Sequence, residues 1–334
     1  MKLTTTRYLH GEIRAYHVSG SVYGPLEPSA TYRVESSDKR PNHAVAPSLD
    51  WAVYTTSHSV VCISQNSDLL WHYDLEPRSI QRYLRDPSCM FSLDGAWVWV
   101  YRPDAMADRG PDILVVLRAD TGEEVARTEL DSVGEGAELV LHPDGRHILL
   151  DVGEGQDGVK LYRAAFTGAD IDLHSYGWDD RCLVDVAPDG QWFMTVDHGR
   201  YDVAFHVFLS GEVVLRVPVE AFGYEYFGDD EARVDWNGGF LNAGIAVVTI
   251  GGEKDDKEWH HHYSIDLRTG TPRGRFEAYS RDNYDFEPLG DGTWIVSGPD
   301  GSAVRRWLST TDLEACWLSG NAHDGAHARC PGAT

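Results

Sequence analysis

Carboxylates fall where a β-rich chain usually places apolar side chains. Glu138, Asp185, Asp285 and Glu287 lie in short runs that read as strands. In such runs one alternating set is apolar, as in Leu139 and Leu141 or Val184 and Val186, while the other set holds the acids and Arg233. Successive strand residues face opposite sides, so the charged positions share one side of each strand. A charge in that setting is costly unless it is paired, hydrated or bound to an ion. Clustered carboxylates suit two kinds of chemistry: holding a hard divalent cation such as calcium, or acting as an acid–base pair with separated pKa values. Arg233 would then position an anion or tune the acids. The competing reading is a structural network of these acids with Arg233 and buried water.

Three loop-like segments carry a second pattern: HSYGWDDRC (174–182), EAFGYEYFGDDEA (220–232) and YSRDNYDF (279–286). In them Tyr176, Trp178, Tyr224, Tyr226, Phe227 and Tyr284 alternate with Asp179, Asp180, Glu225, Asp229, Asp230 and Asp282. Aromatic faces beside carboxylates attract cations, sugars and Arg-rich segments. The plainer alternative is that the rings cap hydrophobic cores and the acids are solvated. The run His260–His261–His262 is a weaker metal candidate: in an extended strand His260 and His262 face one way and His261 the other. DVGEGQDGVK (151–160) lacks the full calcium-loop pattern and reads as a Gly-rich turn. There is no GxSxG elbow, HExxH helix, P-loop or strand-to-helix GxGxxG.

A repeat must position these residues. A short apolar run and a tight turn recur as HAVAPSLD, SCMFSLDG, ELVLHPDG, LVDVAPDG, RVDWNGG and DFEPLGDG. Each is followed by a β-rich run such as AWVWVY or QWFMTV, the signature of a hairpin. A second hairpin follows in each unit, as in LVVLRADTGEEVARTEL and HHYSIDLRTGTPRGRF. The period is about 44–54 residues, near that of propeller blades. Six four-stranded units span 42–320. The ends supply a seventh: LTTTRYL, EIRAYHVSG and SVYGPLEP as its second to fourth strands, and HDGAHARCPG as its first. Residues 1–41 and 321–334 would thus share the closing blade of one domain covering 1–334, with six blades as the alternative.

Through FSLDG, LHPDG, VAPDG and the DTG, FTG and RTG turns, the chain resembles the WD40-like and TolB-like β-propeller superfamily over nearly its whole length. It lacks the regular Gly-His and Trp-Asp positions, so the structural Asp–His network of eukaryotic WD40 repeats is not implied. The resemblance implies an all-β closed propeller whose ligands sit at one face. That face is built from the loops between blades and between the second and third strands. It does not specify a function.

Composition narrows the partners. The 334 residues hold 53 Asp and Glu against 29 Lys and Arg, a net charge of −24. Such a surface repels phosphate backbones and anionic headgroups, which argues against nucleic acid and membranes. It suits a basic protein face or a cationic small molecule. The first residues lack an apolar signal-peptide core, and the five scattered cysteines lack CxxC spacing, so reduced thiols and a cytoplasmic location are expected. Plentiful Arg, Ala, Gly and Asp fit a high-GC bacterial genome. Two functions follow. The first is a non-catalytic binding or scaffold propeller, without a cofactor, holding a basic or cationic partner on the aromatic–acidic loops. The alternative is a lyase-, hydrolase- or cyclase-type enzyme at the channel mouth, using Asp185, Glu138, Asp285, Glu287 and Arg233.

Overall fold

The computed structural model describes residues 4–18, 23–35, 41–75, 87–134, 136–226 and 231–307. The recurrent turns form as their residues demand. In LHPDG, Asp144 accepts the N–H groups of Arg146 (2.8 Å) and His147 (3.0 Å). Gly145 takes φ 71°, where a glycine meets no Cβ clash. Asp94 and Asp189 play the same part for Ala96 and Gln191. Each turn joins an innermost strand to the second strand of its sheet.

Seven antiparallel sheets result, six of four strands and one of three among the described residues. We number the blades in chain order: blade 1 (4–33), blade 2 (43–74), blade 3 (88–130), blade 4 (137–175), blade 5 (181–218), blade 6 (233–276) and blade 7 (287–307). Seven apolar clusters fill the seven interfaces between neighbours. The cluster joining Tyr16, Val18 and Leu26 to Leu289, Ile295 and Ala303 seals blade 1 to blade 7. Each fully buried side chain of this kind contributes roughly 1.5–3 kcal/mol. The ring is therefore closed with seven blades, and its sheets expose few edges.

Closure does pair the two ends of the chain, by a route the repeat did not show. Gly24–Pro25 pairs with Ala303–Trp307 and forms the outer strand of blade 7. The chain then returns, and Ala30–Arg33 pairs with Glu12–His17 in blade 1. Thr4–Leu9 is an edge of the three described strands of blade 1: the Thr5 hydroxyl donates to Glu287 of blade 7 at 2.6 Å, and Tyr8 packs near His43 of blade 2. Residues 308–334, with the tail assigned to the closing blade and the expected outer strand of unit six, lie outside the described residues.

One segment differs locally. RVDWNGG is not a turn. Arg233–Asn242 is one bulged strand, and its hairpin turns at Ala243–Gly244. The stretch at 251–267 lengthens the connection between the second and third strands as a hairpin, Ile245–Lys254 pairing with Lys257–Asp266. Its turn residues Asp255 and Asp256 both have positive φ (52° and 58°), as a two-residue hairpin of type I′ needs. No described helix is long and apolar enough to cross a membrane.

Candidate functional site

The most unusual backbone on the loop face is the inner strand of blade 6. Val234 pairs with Ile250 and Gly238 with Val248, so Asp235, Trp236 and Asn237 oppose the single residue Thr249. Bulges of this kind re-aim side chains and are frequent beside functional sites. Here the bulge drives Asp235 into the protein, where it is fully buried. The facing residue, Gly251, has no Cβ, and one would collide with the Asp235 carboxylate.

Three neighbours hold that charge. Asn283 Nδ2 donates at 3.1 Å, Arg200 at 3.4 Å, and Arg233 Nε stands 3.9 Å away. Burial pushes the Asp235 pKa up, against the lowering effect of Asn283 and the two arginines. The Arg200 guanidinium also lies 3.9 Å from the Trp236 ring centroid, and Asn237 Nδ2 donates to the Asn283 carbonyl at 2.6 Å. Asp235 thus ties together the loop of blade 5, the inner strand of blade 6 and the approach to blade 7. Aromatic rings surround this anchor. Tyr201 and Tyr226 lie 4.2 Å apart, and the Tyr226 hydroxyl donates to the Gly199 carbonyl. Tyr284 is 54% exposed and its N–H is capped by Asp282 at 2.9 Å.

The sequence candidates separate into groups. Asp185 does not line the channel beside Leu183. A bulge between them turns it to the opposite side of its sheet, where it accepts the Phe240 N–H of blade 6 at 2.9 Å. Glu287 accepts from Thr5 and Arg7 of blade 1. Asp285 precedes the strand and caps backbone N–H groups of Ser297 and Arg281. Among the described residues none of these acids joins a cluster able to hold a metal ion. The inner acids are largely latches between blades, as Asn42 is for Cys89 N–H at 2.8 Å. Arg233 does belong to the Asp235 cluster.

In the aromatic set, Tyr176 and Trp178 are stacked on each other and packed against Phe193, with Trp178 also over His206. The Tyr176 hydroxyl donates to the Phe208 carbonyl at 2.5 Å. These two rings fill the seam between blades 4 and 5. Tyr224 stacks on Trp259 and bonds to His261 and Tyr263, supporting the long hairpin. Asp179 and Asp180 are exposed. Asp229, Asp230 and Phe227 lie outside the described residues. His260 and His262 do share a side, their rings 5.6 Å apart. His260 bonds to Ser280 and His262 is buried against Phe286, and no third ligand joins them among the described residues.

Sequence reading missed Asp151. It pairs directly opposite Glu138 on the adjacent strand of blade 4, and its Oδ2 accepts the Leu183 N–H of blade 5 at 2.5 Å. Burial, helped by the Glu138 charge, pushes its pKa up to about 7. The available signal was an acid inside the apolar run HILLDV. Arg200 and Asp235 were missed because a turn and a bulge, not strand alternation, place them.

No protein-family model matches the chain, and no curated protein matches it. Solved structures do. Sqt1 from Chaetomium thermophilum aligns with a TM-score of 0.54 at 16% identity, over 90% of this chain and 79% of that one. The Dos1 propeller aligns at 0.52 and 10% identity, over 88% and 73%. Kuenenia stuttgartiensis hydrazine synthase aligns at 0.51 and 14% identity, over 80% and 77%. At such identities the likeness is one of fold. The chain is a seven-bladed β-propeller, and its resemblance to the WD40-like and TolB-like propellers holds at that level.

Proposed function

We propose that this chain is a non-catalytic binding propeller that holds a basic protein segment on the loop face of blades 5 to 7. One observation carries the reading: Tyr201 and Tyr284, 52% and 54% exposed, flank a rigid anchor built around buried Asp235. Exposed acids, among them Asp179, Asp180 and Asp282, lie in loops between blades. Rigid aromatic faces beside carboxylates bind Lys and Arg side chains by cation–π contact and ion pairing. The net charge of −24 accelerates encounter with such a partner. A structure of Sqt1 bound to the N-terminus of ribosomal protein L10 supports protein binding as a use of this fold. The free cysteines Cys62, Cys89 and Cys182 support a reducing compartment, which we take to be the cytoplasm of a bacterium.

Affinity capture with wild-type protein and a Tyr201→Ala/Tyr284→Ala variant tests the proposal. A basic partner lost in the variant supports it; equal capture by both refutes it. A second reading rests on Asp151 alone. A carboxyl titrating near 7 opposite Glu138 is suited to acid–base catalysis at the channel mouth. Turnover of a small cationic molecule, abolished in Asp151→Asn, would favour it.

A further inference from the structure

The first turn of blade 4, at the end of the propeller opposite the Asp235 face, carries a different chemistry. We propose that His142, Asp144 and His147 form a binding site for a transition-metal dication of the zinc class. One ligand atom from each of His142, Asp144 and His147 lies within 4.8 Å of the other two. Asp144 Oδ2 stands 3.1 Å from His142 Nδ1 and 2.7 Å from His147 Nδ1.

The donors are held in ligand geometry from behind. His142 Nε2 lies 2.8 Å from the Gly190 carbonyl, which can only accept, so Nε2 carries the proton and Nδ1 presents its lone pair to Asp144. Nδ1 also receives the Asp144 N–H at 3.3 Å, a long bond that a metal would replace. A backbone carbonyl behind the ring is the usual support of a metal-binding histidine. The ring is fixed further by stacking on Phe208 at 3.6 Å. Asp144 Oδ1 stays bonded to the Arg146 and His147 N–H groups, which leaves Oδ2 for the ion. On binding, the metal takes the place of the His147 Nδ1 proton, and that proton moves to Nε2.

The repeat supplies internal controls. The hydrogen bond that closes this turn, from His142 N to His147 O, recurs as Ala46 to Trp51, Ser92 to Trp97 and Ala187 to Trp192. The turn aspartate recurs as Asp94 and Asp189. These turns form without any histidine, and of the four only blade 4 places one at both flanking positions. Two imidazoles and a carboxylate suit Zn²⁺, with a remaining position for water. The His147 and Asp144 side chains are 15% and 37% exposed, so an ion can enter.

Calorimetric titration of the tag-free full chain with Zn²⁺, and the d–d spectrum with Co²⁺, tests this. One Zn²⁺ per chain is expected. His147→Gln and His147→Trp, the second restoring the residue of the other three blades, should each weaken binding at least ~10-fold. His260→Gln should leave it unchanged. No stoichiometric binding by wild type, equal affinity in folded His147→Gln and His147→Trp, or loss in His260→Gln would overturn the assignment.

Discussion

Replacing Asp151 by asparagine isolates the cost of one buried charge between blades 4 and 5. The carboxylate faces Glu138 and accepts the Leu183 N–H, yet burial raises its pKa from 3.8 to about 7. Between those values the folded chain binds a proton that the unfolded chain has lost. Stability from this group therefore falls as pH rises from about 4 to about 7, and stays low above that. A shift of about 3 units at ~1.4 kcal/mol per unit sets a ceiling of about 4 kcal/mol. The side chain keeps some contact with solvent, so about 2 kcal/mol is the realistic size. Asparagine retains an oxygen for the Leu183 N–H and carries no charge. Urea unfolding should show Asp151→Asn gaining on wild type from about pH 4.5 to about pH 8.5, ending roughly 2 kcal/mol more stable. A variant no more stable than wild type at the higher pH refutes the reasoning.

Other outcomes follow from single residues. Buried Arg181 pairs with Asp202 at 2.6 Å and donates to both the hydroxyl and the carbonyl of Thr195. Arg181→Ala strands the acid and should cost about 3–5 kcal/mol in denaturant titration. Trp178→Ala opens the seam over Phe193 and His206 and should cost about 2–4 kcal/mol, whereas Tyr284→Ala should stay within about 0.5 kcal/mol in the same assay. His262 is buried against Phe276 and Phe286, and burial pushes its pKa down to about 3. It is neutral when folded but binds a proton below about 6.5 when unfolded, so stability drops as pH falls from there towards 3. His262→Phe should flatten that acid limb, as measured by the unfolding midpoint against pH.

The blades were legible because their turns are local. LHPDG, FSLDG and VAPDG state their conformation within five residues, and those turns form as written. The closing blade was harder, since Gly24–Pro25 makes its pairing with 303–307 across nearly the whole chain. The site was least legible. Strand alternation placed Glu138 beside the right strand but failed at Asp185, where one extra residue reverses the side it faces. Asp235 was hidden within an apparent turn, and its partners Arg200 and Asn283 come from blades 35 and 48 residues away in sequence. The aromatic rings announced themselves without revealing which pack inward. Trp178 does, and Tyr284 does not.

The loop face of blades 5 to 7 is tested most directly by photo-crosslinking in the source cells. A photoreactive residue would replace Tyr284 on that face or Leu209, 59% exposed on the opposite one. The account predicts a discrete adduct to a basic protein from position 284 and none from position 209. An adduct confined to position 209, or none from either position, would contradict it.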